Sequence, residues 1–277
     1  MFIVFFISWV FFLFILEFKL SIDNNNEVKS LHLNKSRWIK NITFGIVNRI
    51  IEPFTLIIVS LLAVKYSIFN QYALIESNKL LLIILIPLNL LILDFVSYWY
   101  HVLCHKIDFF WNLHELHHLD NRIDCTTGFR IHILELLGAT LLRGLVIICL
   151  GIPLEIVILF EMILQVEGMF HHSNIKINPK FDKILRKIII TPNFHRVHHY
   201  NQHKYYNSNY GFIFPYWDYI FNTYNDNFKK NEFGLKYAED KKYGAIKQLL
   251  LPLYGRSILE RKRKRKKPLL KSFFSKV

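Results

Sequence analysis

Ten of the thirteen histidines in this 277-residue chain fall into four short groups, and their spacing is that of metal ligands. His101 and His105 stand four residues apart, so on a helix both rings project from one face. His114, His117 and His118 form H-x-x-H-H, His171 and His172 are adjacent, and His195, His198 and His199 repeat H-x-x-H-H. A neutral imidazole binds iron, zinc or copper through one ring nitrogen while the other donates to a nearby acceptor. One tetrahedral zinc uses about four ligands, so this inventory points to two metals. A lone histidine, or one i, i+4 pair, is usually a polar surface feature. Two copies of H-x-x-H-H beside H-x-x-x-H on one side of a membrane are not well explained that way.

The composition says what must carry these groups. Hydrophobic residues make up 52% of the chain and aromatic residues 16%, which favours a membrane bundle with a polar cap. Residues 2–18 are apolar, with no basic stretch before them and no small-residue cleavage site after them, and read as a retained anchor. Residues 53–69, with Pro53 placed at a helix start, and residues 80–100 are each long enough to cross a bilayer. The stretches 133–150 and 153–170, divided by Gly151-Ile152-Pro153, read as a helical hairpin. Lys19, Lys29, Lys35, Arg37, Lys40 and Arg49 between the first two spans make that loop cytosolic, and counting crossings brings every histidine group and the C-terminus to the same side. The expected fold is an all-α integral membrane protein: a transmembrane helical bundle with a cytosolic histidine-rich cap holding a di-metal centre.

The net charge of +14 suits nucleic acid, an anionic membrane surface or an acidic protein, and the apolar spans decide for the membrane and against nucleic acid. The basic run 261–267 is then expected to meet anionic headgroups. Cys104, Cys125 and Cys149 lack the spacing of a zinc ribbon or iron–sulfur site and form no disulfide framework.

Over roughly residues 90–225 the chain resembles the fatty acid hydroxylase and sterol desaturase superfamily. The resemblance is carried by Asp94 through His101 and His105, by Trp111-Asn-Leu-His114-Glu-Leu-His117-His118, by Phe170-His171-His172-Ser-Asn174, and by Thr191-Pro-Asn-Phe-His195-Arg-Val-His198-His199. It continues through Asn209-Tyr-Gly211 and Trp217-Asp218 to Tyr224. Within the superfamily it is most similar to the bacterial-type sterol desaturase-like branch. The resemblance implies two iron ions with O2 as co-substrate, zinc being able to take the place of iron on overexpression. The implied ligands are His101, His105, His114, His117, His118, His172, His195, His198 and His199. His171 is a further candidate, standing where the family often has glutamine, and Asn222 takes a glycine slot where φ is expected to be positive.

The implied activity is hydroxylation or desaturation of a fatty acyl, sterol or related lipid. A zinc-dependent membrane hydrolase is the competing enzyme, but it needs fewer ligands than this chain carries; a non-catalytic membrane scaffold would have no use for nine imidazoles. With no G-x-G-x-x-G or C-x-x-C-H element, electrons are expected from an external ferredoxin- or cytochrome-type protein, at a bacterial inner membrane or endoplasmic reticulum. The expected divisions are 1–78 for N-terminal transmembrane helices, 79–225 for the di-iron domain, and 226–277 for a cytosolic segment with the basic tail.

Around the ligands, Asp94 lies two turns before His101 and is expected to accept a hydrogen bond from a ligand imidazole, with Tyr98 one turn from His101; both are candidate residues of the catalytic surroundings. Arg130, His132 and Glu135 echo a short family element and are expected to support the site. Glu115 and Glu167 are candidate acceptors, while His32 and His203 read as surface residues. Arg143 and Glu161 lie at equal distances from Ile152, so an antiparallel hairpin should pair them.

Overall fold

The computed structural model describes residues 2–20, 31–68, 71, 74–75, 78–228, 232–235, 244–250 and 252, with side chains from Phe6 in the first helix and from Lys35 in the second. The basic run 261–267 and the side chain of His32 lie outside the described residues. The described part is helical, with an isolated bridge between Tyr200 and Phe233. Helix α1 spans Phe2–Leu20 and α2 Leu31–Tyr66. A short 3-10 turn, Lys79–Leu81, leads into α3, Leu82–Lys106, followed by α4, Asp108–His118. A second 3-10 turn, Cys125–Phe129, precedes α5, Ile133–Leu150, and α6, Leu154–His172. The cap carries α7 (Pro179–Leu185), α8 (Pro192–His198), α9 (His203–Tyr206), α10 (Tyr216–Ile220) and α11 (Ala245–Leu249).

Among the described residues, three helices are long and apolar enough to cross a membrane: Lys35–Tyr66, Lys79–Lys106 and Ile133–Leu150. Their outer faces carry exposed Ile50, Phe54, Ile57 and Leu61 on α2, Ile83 and Ile84 on α3, and Leu141 and Leu145 on α5, a surface suited to lipid. Helix α6 carries Glu155, Glu161 and Glu167 and turns its apolar side inward, where Ile156, Val157 and Phe160 pack with Leu93 and Ile147. Helix α1 is docked from its own end: buried Glu17 accepts from the backbone N–H of Cys125 at 2.8 Å and of Asn174 at 2.7 Å, and Trp9 donates to the Val166 carbonyl at 3.1 Å.

The hairpin forms where the sequence places it. Gly151 adopts φ 60°, the left-handed conformation that ends a helix, and Ile152 N–H reaches back to the Ile147 carbonyl at 3.1 Å. The expected pair follows, with Arg143 Nη2 3.0 Å from Glu161 Oε1 and both side chains buried.

Pro53 departs from expectation: it lies inside α2, not at a helix start. Proline removes one backbone donor, and here tertiary contacts on both sides carry the helix through it. Upstream, Arg37 pairs with Asp120 and Asp124, Asn41 donates to Asp120 and Thr126, and Asn48 donates to the Ile131 carbonyl. Downstream, Val59 packs so closely on Gly144 of α5 that a Cβ there would meet it at 2.8 Å.

Candidate metal centre

Three helix ends and one hairpin end converge on the buried histidines. Residues on one helix face recur every three to four positions, and consecutive residues point about 100° apart. The result is a partition that cuts through both H-x-x-H-H motifs. His101 and His105 of α3, His114 and His118 of α4, and His198 of α8 form one group; His117 of α4, His172 of α6, His195 of α8 and His199 just after it form another. Within each group, one potential ligand atom per residue lies within 4.8 Å of all the others, so each group could hold a metal ion. All nine histidines that the sequence singled out as ligands are therefore brought together, and His171 stands beside them, its ring centroid 4.1 Å from that of His195.

The ring orientations are set from outside. His101 Nδ1 donates to the Tyr210 carbonyl at 2.8 Å, His198 Nδ1 to the Ser208 carbonyl at 2.8 Å, His172 Nδ1 to the Gly168 carbonyl at 2.6 Å and His117 Nδ1 to the Arg130 carbonyl at 3.3 Å. His114 Nδ1 lies 2.6 Å from Glu135 Oε1. A carbonyl can only accept, so the proton of these rings sits on Nδ1 and the Nε2 lone pair faces the group interior. The facing Nε2 atoms are close: 3.1 Å for His101 with His114 and for His118 with His198, and 3.0 Å for His172 with both His117 and His195. Lone pairs facing one another at that distance repel, and a cation between them turns the repulsion into coordination. The donor set thus fits a metal in each group, and all-nitrogen imidazole sites suit iron, zinc or copper.

Burial reinforces this. Desolvation first, and the neighbouring imidazoles second, hold His117, His118, His195 and His199 well below the usual histidine pKa, and burial brings His198 down to about 3. The rings are therefore neutral, the form that binds metal. Cys104 also approaches His114 and Glu135, but His114 belongs to the five-histidine group and Glu135 to His114, so this is no separate centre.

Asp94 does not do what the sequence reading expected. It accepts from Ile213 N–H at 3.1 Å, Phe214 N–H at 3.2 Å and Trp217 Nε1 at 2.8 Å, and not from an imidazole. The cap loop 210–217 folds over α3 and presents a dense set of backbone donors, which take up the carboxylate on that face. Tyr98 likewise points to the cap, its hydroxyl 2.8 Å from that of Thr223, which donates to Asp218. Asp218 accepts from the backbone N–H of Tyr210 and Gly211, each at 2.8 Å, and burial pushes its pKa up to about 6. Both residues act on the histidines at one remove, by holding the loop whose Tyr210 carbonyl orients His101.

Glu135 meets its expected supporting place, and Arg130 braces the fold by donating to Leu116, Asn41 and Gln248. His132 caps α5 and reaches the Leu249 carbonyl, and His203 is exposed. Asn222 has φ 54° and Asn209 φ 55°, so asparagine does fill left-handed positions here. The carbonyls of Tyr210, Ser208, Arg130 and Gly168 were missed by sequence reasoning, because a backbone acceptor leaves no residue-type signal.

The fatty acid hydroxylase family model matches residues 86–223. Over 141 residues the chain is 28% identical to an ornithine lipid hydroxylase of Rhizobium tropici, covering 51% of this chain and 42% of that protein. Over 144 residues it is 26% identical to the alkylglycerol monooxygenase of Homo sapiens, covering 51% and 31%. A very-long-chain aldehyde decarbonylase of Oryza sativa subsp. indica is 28% identical over 138 residues, covering 47% and 22%. The matches span less than half the length of these relatives. No solved structure matches the chain.

Proposed function

Residues 86–223 belong to the fatty acid hydroxylase family, and from that premise we propose that the chain is a membrane di-iron oxygenase that hydroxylates an unactivated C–H bond of a lipid, with O2 as co-substrate and electrons from a separate protein. The observation that carries this reading is the pair of histidine groups, nine imidazoles gathered so that one ligand atom of each lies within 4.8 Å of the others in its group. Iron bound there would supply O2 reduction and hydrogen abstraction from carbon. The chain's own part is to keep the rings neutral by burial, to fix their tautomers through backbone carbonyls and Glu135, and to bring a lipid from the bilayer to the end of α6.

Hydroxylation is favoured over desaturation because two of the relatives are named a hydroxylase and a monooxygenase. We place the histidines and the C-terminus on the cytosolic side, on the loop-charge bias, where an acidic electron carrier suits the basic chain.

The test is lipid profiling under 18O2 of cells with and without the gene, beside a His195→Ala control, with an active reductase present. One labelled oxygen gained in a lipid, absent from the control, is the expected result. Loss of two hydrogens without label would replace hydroxylation by desaturation. Identical lipids in wild type and control would overturn the oxygenase reading.

A further inference from the structure

The short helix α7 and the turn after it divide their surface into three sectors. Hydrogen bonds of helical spacing continue to its end and beyond, from Arg186 N–H to the Asp182 carbonyl and from Ile189 N–H to the Leu185 carbonyl, so residues 179–189 keep close to one helical phase. Asp182 is buried, Leu185 and Ile189 are half-buried, and these three share the inward face. The rest of the circumference is exposed and split lengthwise. Phe181, Ile184 and Ile188, each more than half exposed, form one stripe, and exposed Lys180, Lys183 and Lys187 form the next. Asp182 is the one acid between residues 176 and 190 and lies 3.6 Å from Arg186, which leaves the three lysines unopposed on this segment.

Both ends of the segment are tied to long apolar helices. Before it, Lys176 N–H donates to the carbonyl of Leu20, the last residue of α1, at 2.7 Å. After it, Ile190 N–H donates to the Ile213 carbonyl at 3.0 Å, and Ile213 N–H to Asp94 of α3 at 3.1 Å. Helix α10 runs beside it: Tyr219 Oη donates to the Arg186 carbonyl at 3.4 Å, and the adjacent Ile220 is exposed. On its other side α10 packs on α3, the ring centroids of Trp217 and Phe95 being 5.0 Å apart and those of Phe221 and Trp99 also 5.0 Å.

Those contacts fix a depth. A hydrocarbon core of about 30 Å takes up about 20 residues of helix, which counted from Leu80, at the far end of the α3 span, run to Trp99. Phe95 is then about 6 Å inside the edge of the core, and α10 beside it sits where acyl chains meet headgroups. Trp99, Trp217 and Tyr219 are of the residue types that favour this level. A water-soluble partner would have to enter the leaflet to reach Ile220, whereas an apolar stripe beside a lysine stripe at this depth is complementary to a lipid surface.

We propose that α7, the turn after it and α10 form an interfacial plate on which the cap rests in the leaflet at the histidine end of the bundle. Phe181, Ile184 and Ile188 enter among the acyl chains, and Lys180, Lys183 and Lys187 hold anionic headgroups. The plate stands apart from the oxygenase reading and gives the chain a preference for negatively charged lipid beside its cap.

The experiment uses the full chain in nanodiscs of phosphatidylcholine and phosphatidylglycerol. A nitroxide attached through Ile184→Cys, in a Cys149→Ser background that removes the exposed native thiol, should be relaxed more by O2 than by a water-soluble nickel chelate. One attached through Lys183→Cys should show the reverse order. Phosphatidylglycerol and phosphatidylcholine carrying the same photoreactive group near the headgroup then read the charge preference. The anionic probe should label peptides of residues 176–190 about fivefold more, the factor that roughly one lysine near the surface supplies. Lys180→Gln, Lys183→Gln and Lys187→Gln together should bring the two probes to parity with metal content unchanged. If the triple variant loses metal, Lys183→Gln decides by the same ratio, with a smaller fall expected. Equal labelling of the unaltered chain by the two lipids would overturn the plate, as would greater access of the nickel chelate at position 184. Shielding of that position by an added acidic ferredoxin would assign the surface to a soluble partner instead.

Discussion

In the five-histidine group, His101, His114 and His198 are held from outside by the Tyr210 carbonyl, Glu135 and the Ser208 carbonyl at 2.6 to 2.8 Å. In the four-histidine group the equivalent hold is on His172 at 2.6 Å and, more loosely, on His117 at 3.3 Å, while the Nδ1 atoms of His195 and His199 have no partner. The first group is rooted in the long helix α3 and in a cap loop that Asp94 and Asp218 tie down. The second draws a ligand from the end of α6. Outer hydrogen bonds fix ring orientation and raise ligand basicity, so, although both ring nitrogens of His105 also lack a partner, the first group is expected to be the more rigid site.

The largest expected effect is loss of a whole site. His172 Nε2 lies within 3.2 Å of His117, His195 and His199, so His172→Ala should remove about one metal per chain and His198→Ala the other, read by elemental analysis of protein from iron-replete cells. Release of both metals by either variant would show that the two groups do not bind independently. Next in size, Glu135→Gln should weaken metal binding at the five-histidine group by about 10- to 100-fold. A competing chelator should strip the four-histidine group first in the wild type, and this variant should bring the two release steps together.

Asp94→Asn should keep both metals but lower unfolding stability by about 1 to 1.5 kcal/mol, since it disturbs the bonds from Ile213, Phe214 and Trp217 and not a ligand. A metal deficit at the five-histidine group would mean that the cap loop controls that site more strongly than its distance suggests. Smallest of all, exposed His203→Ala should change stability by no more than about 0.5 kcal/mol and leave metal content and thermal midpoint as they were.

Much of this could be read from the residues, and what could not has a physical cause. The hairpin and its Arg143–Glu161 pair were legible because a glycine–proline break and two charges in apolar helices have few other solutions. Asn222 was legible because a left-handed backbone position admits few residue types. Pro53 misled because proline's local preference yields to tertiary packing on both sides of it. Asp94 misled because helical phase gives its face but not what occupies that face, and a loop more than a hundred residues onward arrived there.

The spacing of the histidines by itself determined which imidazoles could gather, since i, i+3 and i+4 recurrence on a helix is a property of the backbone alone. It did not determine which of them share a candidate metal site. His117 and His118, and His198 and His199, are chain neighbours that go to opposite groups. Each such pair points about 100° apart, and only the packing of α3, α4, α6 and α8 against one another decides what either direction meets.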